Sequence, residues 1–285
     1  MEQAWLVTNA FLRAESFRRM EEELLSAARR AGVRLKPVKN DAFVGPASLG
    51  DPPACALFFD KDVRLAQRME AAGVRLFNSS RAIAACDDKT ATTLLLERAG
   101  LPQPETLLCP KSYEGVGYGG MDFLNEVAGR LGFPLVVKEG QGSFGRQVYL
   151  AESMEQLRGI IENAGDKPLL FQRFVRETAG RDLRIYVVGR RAVASMERVN
   201  RSGDFRANLE HGGVAIAYRP SPEEAALAVA ACLACGADFA GVDLLPSKAG
   251  PLVCEVNSNA HFLGLMQATG VNPADDIVRL LKVRP

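Results

Sequence analysis

Near its carboxyl end the chain carries two short apolar runs, Phe239-Ala-Gly-Val-Asp-Leu-Leu245 and Leu252-Val-Cys-Glu-Val-Asn257, separated only by Pro-Ser-Lys-Ala-Gly-Pro. Two strands joined by so short a turn form a hairpin. Side chains alternate across a strand, so Asp243, Glu255 and Asn257 share one face. Val242, Leu244, Leu252, Cys254 and Val256 take the other, the core face. With Leu245 paired to Pro251, Asp243 faces Val253, Gly241 faces Glu255, and the two carboxylates are diagonal neighbours about 7–8 Å apart at the backbone. Such carboxylates repel unless a proton, a cation or an arginine lies between them. An all-oxygen set of Asp, Glu and Asn suits a hard cation such as Mg²⁺ or Mn²⁺. A solvated polar face on an edge hairpin is the plainer alternative, and a phosphate partner elsewhere in the chain decides between them.

The hairpin Leu135-Val-Val-Lys-Glu-Gly-Gln-Gly-Ser-Phe-Gly-Arg-Gln-Val-Tyr-Leu150 supplies that partner. Its Gly-rich tip, 140–145, folds closely over phosphates through backbone N–H groups, and Lys138 stands at its base. No Gly-Lys-Ser/Thr follows and no helix starts there, so it is neither a Walker loop nor a dinucleotide fingerprint. Lys89, just after Asp87-Asp88, sits in the first turn of a helix expected over 87–99. A cation is electrostatically out of place at that end. It is either balanced by the aspartates or aimed at a nucleotide.

Around these segments, residues 3–77 alternate strands (3–8, 33–38, 55–59, 74–77) with helices (13–31, 63–72), which predicts a parallel sheet covered on both faces. Asn78-Ser79-Ser80 interrupts the pattern. Further on, helices are expected over 122–131, 153–163, 221–235 and 274–282, a strand over 169–174, and a hairpin of 182–188 with 192–198 around Gly189. Ser153 with Gln156 reads as a capping box. A chain of 285 residues, 47% hydrophobic and with a net charge of +1, makes two or three packed units and offers no electrostatic case for nucleic acid or membrane partners. The amino end shows no signal-peptide pattern, and the longest apolar run, 225–235, is too short to span a bilayer. Cys232-Leu-Ala-Cys235 lies in an alanine-rich helical run without a second pair, so buried packing of reduced, cytoplasmic thiols is expected over zinc or redox chemistry.

Taken in order, NSSRAIAACDDK, PLVVKEGQGSFG, FQRFV with GRDLRIYVVG, DFRANLEHGG, AGVDLL and GPLVCEVNSNAHF resemble the ATP-grasp superfamily, most closely its RimK-like amino-acid ligase branch. The resemblance covers about residues 78–285. It implies an α/β and α+β fold: a Rossmann-like pre-ATP-grasp domain over 1–85, a central subdomain with a Gly-rich lid over 86–175, and a carboxyl-terminal subdomain with a metal site over 176–285. It further implies ATP with Mg²⁺ or Mn²⁺, two ions, held by residues spread over both subdomains. Lys89, Lys138, Gly142 and Ser143 would meet the phosphates, and Gln172, Arg173 and Phe174 the adenine. Asp182 would stand at the ribose, and Arg206 and Asn208 would reach the nucleotide. Asp243, Glu255 and Asn257 would be metal ligands.

The implied chemistry is ATP-dependent ligation of a carboxylate to an amine through an acyl phosphate. An amino acid such as glutamate would be joined to a small amine or peptide end. Arg184 and Arg198 are the catalytic candidates, with structural pairing of Arg184 to Asp182 or Glu197 as the alternative; the hairpin register leaves the face of Arg198 open. A regulatory ATP-binding module and a kinase stopping at a phosphorylated product are the other readings, and a homo-oligomer is compatible with all three. His211 and the Asn9-Ala-Phe-Leu12 loop are candidates for the acceptor side, and His261 for loop packing. Asn259-Ala260-His261 stands where Ser-Pro-Gly commonly follows the Glu-x-Asn pattern in this branch, and the Gly-rich tip is shorter than in its glutamate-adding members.

Overall fold

The computed structural model describes residues 3–142, 145–209 and 212–282. Strands β1 (Ala4–Thr8), β2 (Leu35–Lys39), β3 (Cys55–Phe59) and β4 (Arg75–Phe77) form a wholly parallel sheet in the order β2-β1-β3-β4. Alternation sorts its two faces. Leu6, Leu57 and Phe59 pack on Met20, Leu24 and Ala27 of α1 (Glu15–Ala31), while Trp5, Val7, Ala56 and Phe58 pack on Leu65, Ala66 and Met69 of α2 (Val63–Ala71). The expected parallel, doubly covered sheet is present.

Where a single helix was expected, two occur. Ser79 caps α3 (Ser80–Asp87) by accepting from Ala82 N–H, and Asp88 caps α4 (Lys89–Arg98) by accepting from Thr90 and Ala91 N–H. A side-chain acceptor at each of these positions satisfies N–H groups that a helix start leaves unpaired. Asp87-Asp88 masks the break, because the pair reads as one helix start. Ala82, Cys86 and Leu96 of these helices share a core with Leu183, Ile185, Val242 and the buried Cys232 and Cys235. Those two cysteines are packing residues, as expected.

A second sheet, antiparallel and ordered β5-β8-β6-β7, comprises β5 (Thr106–Leu108), β6 (Leu135–Glu139), β7 (Val148–Ala151) and β8 (Leu169–Arg173). It buries Val137 and Phe171 against Leu124 and Val127 of α5 (Phe123–Leu131) and Leu157 and Ile161 of α6 (Met154–Ala164). Ser153 caps α6, but Gln156 reaches Glu152 N–H and not Ser153 N–H, so the box is only half formed.

The third sheet, β11-β10-β9-β12-β13, is antiparallel: β9 (Arg181–Val188), β10 (Arg191–Asn200), β11 (Gly213–Ala217), β12 (Phe239–Ser247) and β13 (Gly250–Asn257). Helix α7 (Pro222–Ala234), started by a complete Ser221/Glu224 capping box, covers one face. On the other, Tyr186, Val188 and Phe239 meet the amino-terminal sheet, α8 (Leu263–Thr269) and α9 (Pro273–Leu280). Among the described residues no helix is long and apolar enough to cross a membrane.

Two registers differ from expectation. Leu245 pairs with Leu252, and a bulge at Cys254 sets Asp243 directly opposite Glu255. One extra residue moves the neighbouring side chains of its strand to the opposite face. Val253, 1% exposed, takes the core position expected of Cys254, which turns toward the opposite face. In the β9–β10 hairpin an irregularity at Val193 places Arg198 opposite Asp182, on the same face of the sheet.

Asn78, at the end of β4, ties the first and third sheets together. Its Nδ2 donates to the carbonyls of Phe239 (2.9 Å) and Ser258 (3.0 Å), and its Oδ1 accepts from the N–H groups of Asp238 (2.6 Å) and Phe239 (3.1 Å). The residue is fully buried. Asn78→Ala orphans these buried backbone groups, and the expected loss is about 2–4 kcal/mol of stability, read from the urea midpoint at unchanged slope.

Candidate active site

A cleft runs between the second and third sheets. Every residue expected from the sequence to meet ATP lines it, apart from Ser143, which like His211 lies outside the described residues. Asp243, Glu255 and Arg198 line it too, whereas Arg184 and Asn257 line an adjoining chamber.

At one end β8 offers Gln172, Arg173 and Phe174. The Arg173 guanidinium turns away to Glu105 and to the carbonyls of Arg130 and Leu131, and Gln172 Nε2 donates to Thr106. With those side chains committed elsewhere, main-chain groups are what this end presents to a ligand. Phe174 stands edge-on to Phe205, 6.1 Å between centroids.

At the other end positive groups gather around the Gly-rich tip. Lys89 Nζ donates to the Gly142 carbonyl (3.0 Å) and lies 3.4 Å from Glu255, while its own N–H donates to the Gly140 carbonyl (2.8 Å). Arg206, paired with Asp204, donates to the Gly145 carbonyl (2.9 Å). The tip is thus held from both sides of the cleft. Glycine is required at Gly145, where φ is +71° and a Cβ would lie 2.8 Å from Asn208 Oδ1. Lys138 is buried, with Nζ 3.6 Å from Cys254 Sγ. Burial pushes the Cys254 thiol up despite Lys138, so it is a neutral group and no thiolate nucleophile.

The floor is a buried chain of alternating charge. Arg184 grips Asp243 through two hydrogen bonds of 2.7 Å; Arg198 grips Asp182 at 2.7 and 2.6 Å and reaches Asp243 at 2.9 Å. The partners differ from those expected: Arg184 pairs with neither Asp182 nor Glu197, and Glu197 pairs with Arg181. Burial pushes both carboxyls up. At Asp243 the two arginines outweigh it and hold the carboxyl below the usual range, whereas Asp182, faced chiefly by Arg198, stays above it. Asp182, expected at a ribose, has both oxygens on Arg198.

Among the described residues no three His, Cys, Asp or Glu side chains cluster as a metal site. The hard-donor set still fits Mg²⁺: among the described residues Glu255 is ion-paired with Lys89 alone, Asn257 has a side-chain carbonyl oxygen to offer, and Asp243 Oδ1 accepts a single arginine bond and keeps a lone pair, whereas Oδ2 accepts from both arginines. Removing one member of the buried array leaves its partner uncompensated. Arg198→Met is expected to cost about 3–5 kcal/mol in chemical denaturation, and Arg198→Lys, which loses the two-pronged grip, an intermediate amount.

The second chamber, ≈ 270 Å³ in volume, meets the cleft at Arg198, Asn208 and Glu255. It lies at the carboxyl ends of β1 and β3, where Leu12, Asp60 and Lys61 enter it, and is closed by 257–261. Leu12 brings the expected acceptor-side loop into the chamber, while His261 packs edge-on to Phe17 at 4.5 Å. Asp60 and Lys61 were missed from sequence; the signal was a polar Asp-Lys-Asp run directly after a buried strand.

Comparison with known proteins agrees with this geometry. The family profile described as the RimK-like ATP-grasp domain matches residues 86–281. A Legionella pneumophila (strain Corby) protein named "Probable alpha-L-glutamate ligase" is 36% identical over 220 residues, 76% of this chain and 70% of that one. The crystal structure of a RimK domain ATP-grasp protein from Sphaerobacter thermophilus superposes with a TM-score of 0.73 at 24% identity, covering 97% of this chain and 98% of that one. The ATP-grasp ligase PsnB, solved with a phosphomimetic precursor variant, Mg and ADP, gives 0.72 at 19% identity, with 98% of each chain covered. The ordered motifs, the cleft between two antiparallel sheets and these likenesses converge: the chain belongs to the RimK-like ATP-grasp family and is an ATP-grasp ligase.

Proposed function

We propose that the chain joins the carboxylate of one small molecule to the amine of a second, an amino acid being one of the pair, by way of an acyl phosphate. The observation that carries this is the junction of two chambers at Arg198, Asn208 and Glu255. A phosphoryl group at that end of the cleft lies beside whatever occupies the second chamber. The carboxylate oxygen attacks the γ-phosphorus and ADP leaves; the amine nitrogen then attacks the acyl carbon, and phosphate leaves with the carboxylate's oxygen. The attacking amine gives up a proton as the amide forms.

The backbone of Arg173 and Phe174 is assigned to the adenine edge, and Lys89, Lys138, Gly142 and Arg206 to the phosphates. Asn208, on both chambers, is assigned to the junction. Ser143 is assigned to the same phosphate-binding tip from its place in the sequence. Mg²⁺, when bound, neutralises charge on the phosphoryl group in transfer; Glu255, Asn257 and Asp243 are the residues assigned to hold it. Arg184 and Arg198, positioned by Asp243 and Asp182, present fixed positive charge where the acyl phosphate forms. The names of the curated relatives make glutamate the first substrate to test.

Glu255→Gln keeps shape and removes one negative charge. The expected outcome is loss of ADP release by at least about 100-fold, with an unchanged melting profile. Undiminished turnover would contradict the assignment.

A further inference from the structure

The second chamber is unlike a site for an acidic side chain. Its wall is formed by Phe17, Met20 and Phe59 of the amino-terminal unit, Met196 of the third sheet and Leu209 of the segment between β10 and β11. Each cation lining it among the described residues is already paired: Arg184 with Asp243, Arg198 with Asp182 and Asp243, and Lys61 with Asp87. The acids present are Asp60 and Glu255. A second carboxylate buried here would meet an apolar wall and Asp60, while each cation lining the chamber among the described residues already has a carboxylate partner.

One rim of the chamber carries unused polar capacity. Asn257 Nδ2, Ser258 Oγ and Asn259 Oδ1 are buried without a hydrogen-bond partner among the described residues, and Ser258 is 2% exposed. Three successive unsatisfied groups, one donor, one hydroxyl and one acceptor, require a ligand or water to complete them. They adjoin the point where Asn259-Ala260-His261 replaces Ser-Pro-Gly, and Asn259 is fixed to the Asp60 carbonyl at 2.5 Å. Gly241 makes room for this segment, since a Cβ there would come within 2.5 Å of Ala260 Cβ.

Resting on the ligase reading above, we infer that the second chamber selects an amino acid with an apolar side chain, its polar head on Asn257-Ser258-Asn259 and its side chain against Phe17, Met20, Phe59, Met196 and Leu209. A polar rim with convergent groups and an apolar wall is the usual division of labour in a small-ligand pocket. Glutamate, if used at all, is the partner substrate and not this one.

Calorimetric titration of the full chain, loaded with Mg²⁺ and a non-hydrolysable ATP analogue, tests this with L-leucine, L-methionine, L-phenylalanine, L-glutamate and L-glutamine. At least one apolar amino acid is expected to bind 10-fold or more tightly than glutamate or glutamine. Phe17→Arg, on a half-exposed helix position, is expected to weaken it 10-fold or more, and Phe17→Ser to a lesser degree, with the ATP analogue bound undiminished in both as the check that the variants are folded. Glutamate binding as tightly as the apolar set, no binding of any apolar amino acid, or binding indifferent to both Phe17 variants overturns the inference while leaving the ligase reading intact. Failure of the ATP analogue itself to bind overturns the ligase reading, and this inference with it.

Discussion

The site is built on the alternating array Arg184–Asp243–Arg198–Asp182, four charges almost wholly removed from water. Its members come from three adjacent strands, β10, β9 and β12, so the array forms only when the β9–β10 and β9–β12 registers are both correct. A one-residue slip would bury single charges at a cost far above that of a misplaced methyl group. The array lies between the cleft and the second chamber, with the Arg198 guanidinium at their junction and that of Arg184 on the second-chamber side. Because each arginine is held by a carboxylate, its positive charge stays in place without solvent reorganisation.

The three sheets divide the work. The second carries the Gly-rich tip and the β8 end, to which the proposal assigns a base; the third carries the acids and arginines. The parallel sheet contributes no group to the cleft but closes the second chamber with the carboxyl ends of its strands, as open α/β sheets tend to do. Asn78 keeps that contribution in register by joining the end of β4 to the start of β12 and to Ser258, next to the unsatisfied polar rim. Fold stability and chamber shape are therefore coupled through one amide.

Much of this was legible locally. The Gly-rich hairpin with Lys138 at its base, the alternation in β12 and the Ser221/Glu224 box are short-range patterns and lie where the sequence puts them. What escaped depends on distant partners. The bulge at Cys254 has no local mark, since Val253 and Cys254 are equally acceptable in a core, and only β12 fixes which one enters it. The pairing of Arg184 with Asp243, 59 positions away, depends on a strand order that periodicity does not encode. The separation of α3 from α4 was hidden because Asp88 ends one helix and caps the next.

The central claim is that ATP cleavage in the cleft is coupled to amide formation in the adjoining chamber. The most direct measurement is ADP release across paired carboxylate and amine substrates, apolar amino acids and glutamate included, with mass spectrometry of the products. The account predicts that a productive pair yields ADP, phosphate and an amide in equal amounts, with no release when the carboxylate is omitted and no sustained release when the amine is. A stable phosphorylated product, AMP with pyrophosphate, or ATP binding without turnover for every pair would contradict it.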